Sequence, residues 1–396
     1  MKLFRSVVFW CHLVCGVFAG VVILIMSVTG VLLAYERQIM EWADTWSYDV
    51  APPASGARLD RLPVEMLLAR VAEARPDITP TALTLHADPT APAALALGRD
   101  AAIYVNPYNG AVLGNGSPGV RQFFQDVTDW HRWLGASDEH RTTGRAITGA
   151  CNLAFLFLVV SGPYLWWPRK WTWRQVRSVT WFRRALPGKA RDFNWHNVIG
   201  FWSAVPLFII VLSAAVISYP WASNLVYRVV GEEPQARGSR GGGGSRGAAQ
   251  DEGTIAALEL GGVDLLWTRA ERQVADWRRI TLQLSSSSRQ PVSFTIDSGT
   301  GGQPQKRAAL TLDRATGEVL AWEPFSSQTR GSRLRSWLRF AHTGEVFGLV
   351  GQTIAAIVSA GGALLVWTGL ALAWRRFFGR PPKANRSSSE RTTTAA

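Results

Sequence analysis

Phe9-Trp10-Cys11-His12-Leu13-Val14-Cys15-Gly16 opens an apolar run that continues to Tyr35, and Phe193-Asn194-Trp195-His196-Asn197-Val198-Ile199-Gly200 opens another that continues to Tyr219. Both read Phe-x-x-His-x-x-x-Gly at the start of a stretch that can cross a membrane, for which about 20 apolar residues span about 30 Å of hydrocarbon as a helix. Two more runs, Ala146 to Trp167 and Phe347 to Trp374, meet the same requirement. The 396 residues are 47% hydrophobic, an ordinary share, but that content is gathered into these four blocks with polar stretches between them. The pattern predicts an integral membrane protein with four transmembrane helices.

Lys2 and Arg5 precede the first block as they would in a secretory signal. The run is too long for a signal core, and Val31-Leu-Leu-Ala-Tyr-Glu offers no small-x-small cleavage site, so the block reads as a retained span. Orientation follows from basic residues in short loops, which stay on the cytoplasmic side. Between blocks two and three, Arg169, Lys170, Arg174, Arg177, Arg183, Arg184, Lys189 and Arg191 face one acid, Asp192. Arg375, Arg376, Arg380 and Lys383 follow block four. Both termini are therefore expected in the cytoplasm, as in a multi-pass protein of the bacterial inner membrane. These flanks account for much of the net charge of +13, so membrane lipid rather than nucleic acid is the expected partner.

The resulting division is a first span at 1–35, an outer segment at 36–141 and a second span at 142–168. A basic loop follows at 169–192, then a third span at 193–219, a second outer segment at 220–340 and a fourth span at 341–376. A polar tail occupies 377–396. Within the second outer segment, 234–253 is Gly-rich and reads as a flexible linker. Cys11, Cys15 and Cys151 all fall in apolar blocks, so the outer segments have no disulfide framework. Neither C-x-x-C-H nor a strand followed by G-x-G-x-x-G occurs, which excludes the usual covalent haem attachment and a Rossmann nicotinamide site.

The two halves repeat each other beyond the Phe-x-x-His opening. Ile103-Tyr-Val-Asn-Pro-Tyr-Asn-Gly110-Ala-Val-Leu-Gly reads as strand, turn and strand, and Leu310-Thr-Leu-Asp-Arg-Ala-Thr-Gly317-Glu-Val-Leu-Ala repeats it. A helical pattern precedes each, from Leu62 to Ala74 and from Leu265 to Trp277. A histidine follows each, His131 in Trp130-His131-Arg-Trp-Leu-Gly and His342 in Phe340-Ala-His342-Thr-Gly-Glu. The spans after them end alike, in Ser161-Gly162 and Thr368-Gly369. The expectation is an internal duplication of helix, small α+β domain and helix, with two outer domains.

Of the six histidines, His12 and His196 occupy equivalent places near the inner surface, and His131 and His342 near the outer one. Paired imidazoles on facing helices can hold a haem iron through both axial positions. Gly16, Gly20, Gly162, Gly200 and Gly361 leave room for a flat macrocycle between helices. A lone interfacial histidine is more often merely hydrogen-bonded, but ionisable groups within spans are costly and tend to be functional. His140 is an alternative to His131, since their spacings from Gly144 bracket that of His342 from Gly351. Cys11 and Cys15 flank His12 at helical spacing, a weaker case for a small soft-metal site. Most of the 19 tryptophans fit interfacial belts.

The Phe-Trp-Cys-His12 span, the Val-Asn-Pro-Tyr-Asn-Gly110 turn, His131-Arg-Trp-Leu, Ser-Gly-Pro-Tyr-Leu-Trp-Trp-Pro168 and His342-Thr-Gly-Glu345 together resemble the PepSY-associated transmembrane family over nearly the whole chain. That resemblance implies periplasmic PepSY-like domains, two haem b groups with histidine ligands, and reduction of a ferric siderophore on the periplasmic side. With no nicotinamide site of its own, such a protein takes electrons from an external donor, quinol or a flavin reductase. The rival reading is a non-enzymatic membrane anchor whose PepSY-like domains bind or regulate a periplasmic partner. A transporter is disfavoured, because the repeats run parallel and carry few charges within the spans.

Overall fold

The computed structural model describes residues 2–48, 50–51, 61–98, 101–167, 172–183, 185–234, 261–284 and 290–379. The linker expected at 234–253 and the tail at 377–396 therefore lie almost entirely outside the described residues.

Four long helices are apolar enough to cross a membrane, with mean hydropathies from 1.7 to 2.5 over their best windows. They are α1 (Lys2–Leu33), α5 (Arg141–Trp166), α7 (Gly188–Ser218) and α11 (Gly348–Phe377). Each packs on two others, α1 and α7 both lying against α5 and α11, which closes a four-helix bundle. Small residues make the close approaches: Gly20 meets Val366 and Leu370, Gly361 meets Ser203, and Gly362 meets Ser27. The outward faces stay apolar, with Phe18, Val205 and Trp367 exposed by 83%, 71% and 69%. Water would not tolerate such a surface, whereas lipid matches it.

The third span begins at Gly188, inside the stretch expected to be loop, because no breaker follows Gly188 until Pro206, which the helix accommodates. The remaining loop contains a short helix, α6 (Trp173–Thr180). Its end is fastened to α7 where the Asn194 amide donates to the carbonyls of Ser178 and Trp181.

At the other end of the bundle, α2 (Glu36–Thr45) leads from α1 to α3 (Val64–Ala74), β1 (Ala82–His86), β2 (Ala93–Leu97), β3 (Ala101–Val105), β4 (Val112–Gly114) and α4 (Pro118–Trp133). The same order recurs after α7. There, α8 (Pro220–Val229) precedes α9 (Val263–Gln273), β5 (Arg279–Gln283), β6 (Val292–Asp297), β7 (Arg307–Leu312), β8 (Val319–Pro324) and α10 (Arg330–His342). Both hairpin turns fall where the motifs placed them, with Gly110 and Gly317 at φ of 76° and 68°, a region that favours glycine.

The two segments were expected to form two domains, but their strands join in one antiparallel sheet of order β4-β3-β2-β1-β5-β6-β7-β8. The seam pairs Leu83 with Leu282, Thr84 with Thr281 and Leu85 with Ile280, and the two threonine hydroxyls hydrogen bond at 2.9 Å. Pairing β1 with β5 removes the unpaired edge that each half would otherwise present. One face of this sheet carries a single core. Leu83, Leu95 and Ile103 pack under Leu67, Leu68 and Val71 of α3, and the core continues through Ile280, Phe294 and Leu310 under Leu266 and Trp267 of α9. The two helices also cap each other: the Glu65 amide donates to the Asp264 carboxylate at 3.2 Å, and the Asp264 amide to the Glu65 carboxylate at 3.4 Å.

Candidate functional site: paired histidines at two levels of the bundle

The helices that bring the histidines from the sheet to the bundle are fixed at their N-termini by acids from the preceding short helices. Asp44 of α2 is buried and accepts from the Ser117 amide at 2.7 Å, Arg121 at 2.5 Å and the Tyr104 hydroxyl at 2.9 Å, holding the start of α4. Glu232, just after α8, accepts from the amides of Arg330 and Gly331, both at 2.9 Å, at the start of α10. A carboxylate at this position satisfies free amides and complements the helix dipole. His131 and His342 lie at the far ends of α4 and α10, where Gly144 and Gly351 let the following chain pass against the backbone of Trp133 and Gly344.

His131 and His342 face each other with ring centroids 6.3 Å apart. Burial, and the charge His342 would carry beside it, push His131 down to about 4 from its ordinary value, and burial also lowers His342, so both rings are neutral near pH 7. His140 instead lies on a one-turn 3-10 helix with its side chain 76% exposed, 3.6 Å from Glu139. His86 belongs to the sheet, 3.9 Å from Glu41. Of the two outer alternatives, the fold brings His131 and not His140 to His342.

At the other level, His12 of α1 and His196 of α7 line one cavity of about 430 Å³, partly open, whose walls come from all four spanning helices. Its walls are apolar, including Phe9, Leu158, Val366 and Leu370, and Gly16, Gly162, Gly200 and Gly369 widen it. Among the described residues no group of three or more His, Cys, Asp or Glu could hold a bare metal ion, so Cys11, Cys15 and His12 do not come together as the soft-metal site their spacing suggested.

Each histidine rests on the next helix in the same way. The Nδ1 of His131 is 2.8 Å from the Thr29 hydroxyl, that of His12 2.7 Å from Ser161, that of His196 3.0 Å from Thr368, and that of His342 3.4 Å from Ser213. Thr29 donates its own proton to the Ile25 carbonyl at 2.6 Å, and Thr368 to Leu364 at 2.7 Å, so both hydroxyls accept from Nδ1–H. His342 Nδ1 also donates to the Ile210 carbonyl at 2.9 Å, which can only accept. At His12 the Ser161 hydroxyl has a longer acceptor, the Leu158 carbonyl at 3.4 Å. A neutral imidazole with its proton on Nδ1 presents a lone pair on Nε2, the form a metal needs.

A small residue follows each of these hydroxyls: Thr29-Gly30, Ser161-Gly162, Thr368-Gly369 and Ser213-Ala214. A methyl group at Gly30, Gly162 or Gly369 would lie 3.7, 3.8 or 3.4 Å from the Cε1 of His131, His12 or His196. The pair is thus a seat, the hydroxyl orienting the ring and, at Gly30, Gly162 and Gly369, the small residue lying beside it at a distance that even a methyl group would meet in ordinary van der Waals contact. Along the chain, Ser161-Gly162 and Thr368-Gly369 show only as like endings of two spans, with nothing to connect them with the histidines. The signal was a hydroxyl-small dipeptide on every span, and its meaning needs the neighbouring helix.

A family model described as PepSY-associated TM region matches residues 9–376. The chain belongs to that family. No curated protein matches the sequence. In this PepSY-associated transmembrane protein, α1 and α7 each carry one histidine and one seat, 17 residues apart from His12 to Thr29 and from His196 to Ser213. At 1.5 Å per residue the two levels stand about 25 Å apart along the bundle, close to the thickness of the hydrocarbon they would span.

Proposed function

We propose that this protein is a di-haem electron-transfer protein of the bacterial inner membrane that reduces a ferric siderophore, or another Fe(III) chelate, at the sheet end of its bundle. The carrying observation is the fourfold seat, which turns Nδ1 of each histidine into the helix and leaves Nε2 for a ligand, at two levels. His12 with His196 and His131 with His342 would hold the two haem irons. Bound haem supplies a one-electron iron couple, and the chain supplies placement, tautomer and dielectric. The apolar cavity at the inner level and the facing imidazoles of His131 and His342 at the outer one fit that group, and among the described residues no group of three or more His, Cys, Asp or Glu could hold a bare ion.

In this reading the sheet is periplasmic, the basic end and both termini are cytoplasmic, and the repeated element order descends from an internal duplication. Electrons come from quinol or a flavin reductase. The acceptor class is supported by the surroundings of the outer pair. Arg132, beside His131, is lowered from its ordinary value by burial and by Arg145 and Arg339, with Asp129 opposing, so cations crowd this end. Such a field draws anionic chelates. Their iron is held by hard oxygen ligands, which bind Fe(II) more weakly than Fe(III).

The test is a dithionite-reduced minus oxidised spectrum of detergent-purified protein with pyridine-haemochrome stoichiometry, on wild type, His12→Ala and His342→Ala. Two b-type haems falling to about one in each variant is the expected result, and ferric chelate should reoxidise the reduced wild type. Folded protein without haem from haem-replete cells overturns the proposal and leaves the partner-binding anchor as the working account.

A further inference from the structure

The cavity around His12 and His196 is lined mostly by apolar residues; beside the histidines and Asn197, its polar groups are Lys189, Arg376 and the indole of Trp166. Lys189 lines it from α7, seven residues before His196, and Arg376 from α11, seven after Gly369, which lies against the His196 ring. Two helical turns place each about 10 Å from the imidazole level. Trp166, the last residue of α5, lines the same region, and its indole Nε1 is buried without a hydrogen-bond partner. A buried donor left in that state is uncommon in a finished structure.

Neither cation is satisfied by a neighbouring acid. Asp192 is engaged by Arg191 at 3.1 Å and Arg375 at 2.9 Å, and among the described residues no carboxylate pairs with Lys189 or Arg376. The Arg376 guanidinium is held against the rings of Phe9 and Trp10 at 4.8 and 5.1 Å, and Phe9 is itself a wall of the cavity. The site thus offers two cations about two helical turns from a pair of imidazoles, and one indole N–H, in a cavity whose walls are mostly apolar. That combination fits a planar apolar ligand bearing carboxylates along a single edge.

We infer that Lys189, Arg376 and Trp166 form a carboxylate seat that fixes the orientation of the macrocycle in the His12/His196 cavity, its acidic side chains directed to the basic end of the bundle. The inference rests on the haem reading above and adds the residues that set orientation. Charge-assisted contacts of this kind are stronger than neutral ones, and loss of each cation is worth about tenfold in affinity.

The experiment uses the full-length protein carrying His131→Ala and His342→Ala, so that only the inner site is titrated, prepared without haem and given haem b or its dimethyl ester. The parent should prefer the free acid by tenfold or more. Lys189→Met with Arg376→Met should abolish the preference while the ester binds as before, and Lys189→Arg with Arg376→Lys should keep it. An unchanged preference in the double methionine variant, or an ester that binds the parent as tightly as haem b, overturns the carboxylate seat and leaves the axial histidines standing. A parent that binds neither form overturns the haem reading and this inference together. If the double variant does not fold, the single Lys189→Met and Arg376→Met variants take its place, and no weakening of the preference in either overturns the seat.

Discussion

Replacing Thr368 by valine keeps the shape of the side chain and removes the acceptor on which His196 rests. Thr368 is 2% exposed, and its hydroxyl lies 3.0 Å from His196 Nδ1 while donating to the Leu364 carbonyl. In the variant the buried Nδ1–H has lost that acceptor, at a cost of roughly 1–3 kcal/mol, or about 5- to 150-fold in an equilibrium constant. The ring can recover part of this by moving its proton to Nε2, which blocks that nitrogen as a ligand. Either route weakens binding at this level only, and comparable losses of ligand-orienting partners cost 10- to 100-fold in metal affinity. Haem titration of apoprotein, with redox titration of the filled protein, measures the effect. One haem should be weakened and shifted in potential, the other unchanged, and Thr368→Ser should behave as wild type. Two haems bound in Thr368→Val with wild-type affinity and potentials would refute the idea that the hydroxyl sets the tautomer.

Three other outcomes are expected. His140→Ala should leave haem content and spectrum unchanged while His131→Ala removes one haem, and a loss of haem in His140→Ala with none in His131→Ala would make His140 the outer ligand instead. Leu282→Ala in the sheet seam, where Leu282 is buried opposite Leu83, should cost about 2–5 kcal/mol and lower amide-exchange protection in both α3 and α9. Protection lost around α9 alone would show that the halves fold independently. His86 is pushed down to about 4 from 6.5, by burial first and then by Arg279 and Arg61, against the opposing Glu41 and Asp88. Its stabilising contribution is therefore present above about pH 6.5 and lost as pH falls toward 4, because the unfolded chain takes up the proton first. His86→Gln should flatten that part of the pH dependence of thermal unfolding, and an unchanged profile would assign it to other groups.

Membrane class, the number of spans and the repeated order of elements were legible along the chain, because each depends on composition and spacing within one segment. Length and apolarity marked α1, α5, α7 and α11, with ends shifted by a few residues where helix continued into basic sequence around Gly188. The Asn-Gly110 and Thr-Gly317 turns marked the hairpins, since a left-handed residue is a local demand. The equivalent placement of His12 with His196, and of His131 with His342, followed from the repeat. What lay beyond the sequence depends on contacts between segments far apart in the chain. The seam from Leu83 to Leu282 turns two expected domains into one sheet, and β pairing between separate segments leaves no local mark. His131 and His140 stand nine residues apart with spacings that favour neither, and only the packing of α4 against α1 puts one ring beside His342 and the other in solvent. The seats at Thr29, Ser161, Thr368 and Ser213 are ordinary dipeptides until a histidine from another helix is laid against them, so the chemistry of the site was decided by the tertiary structure.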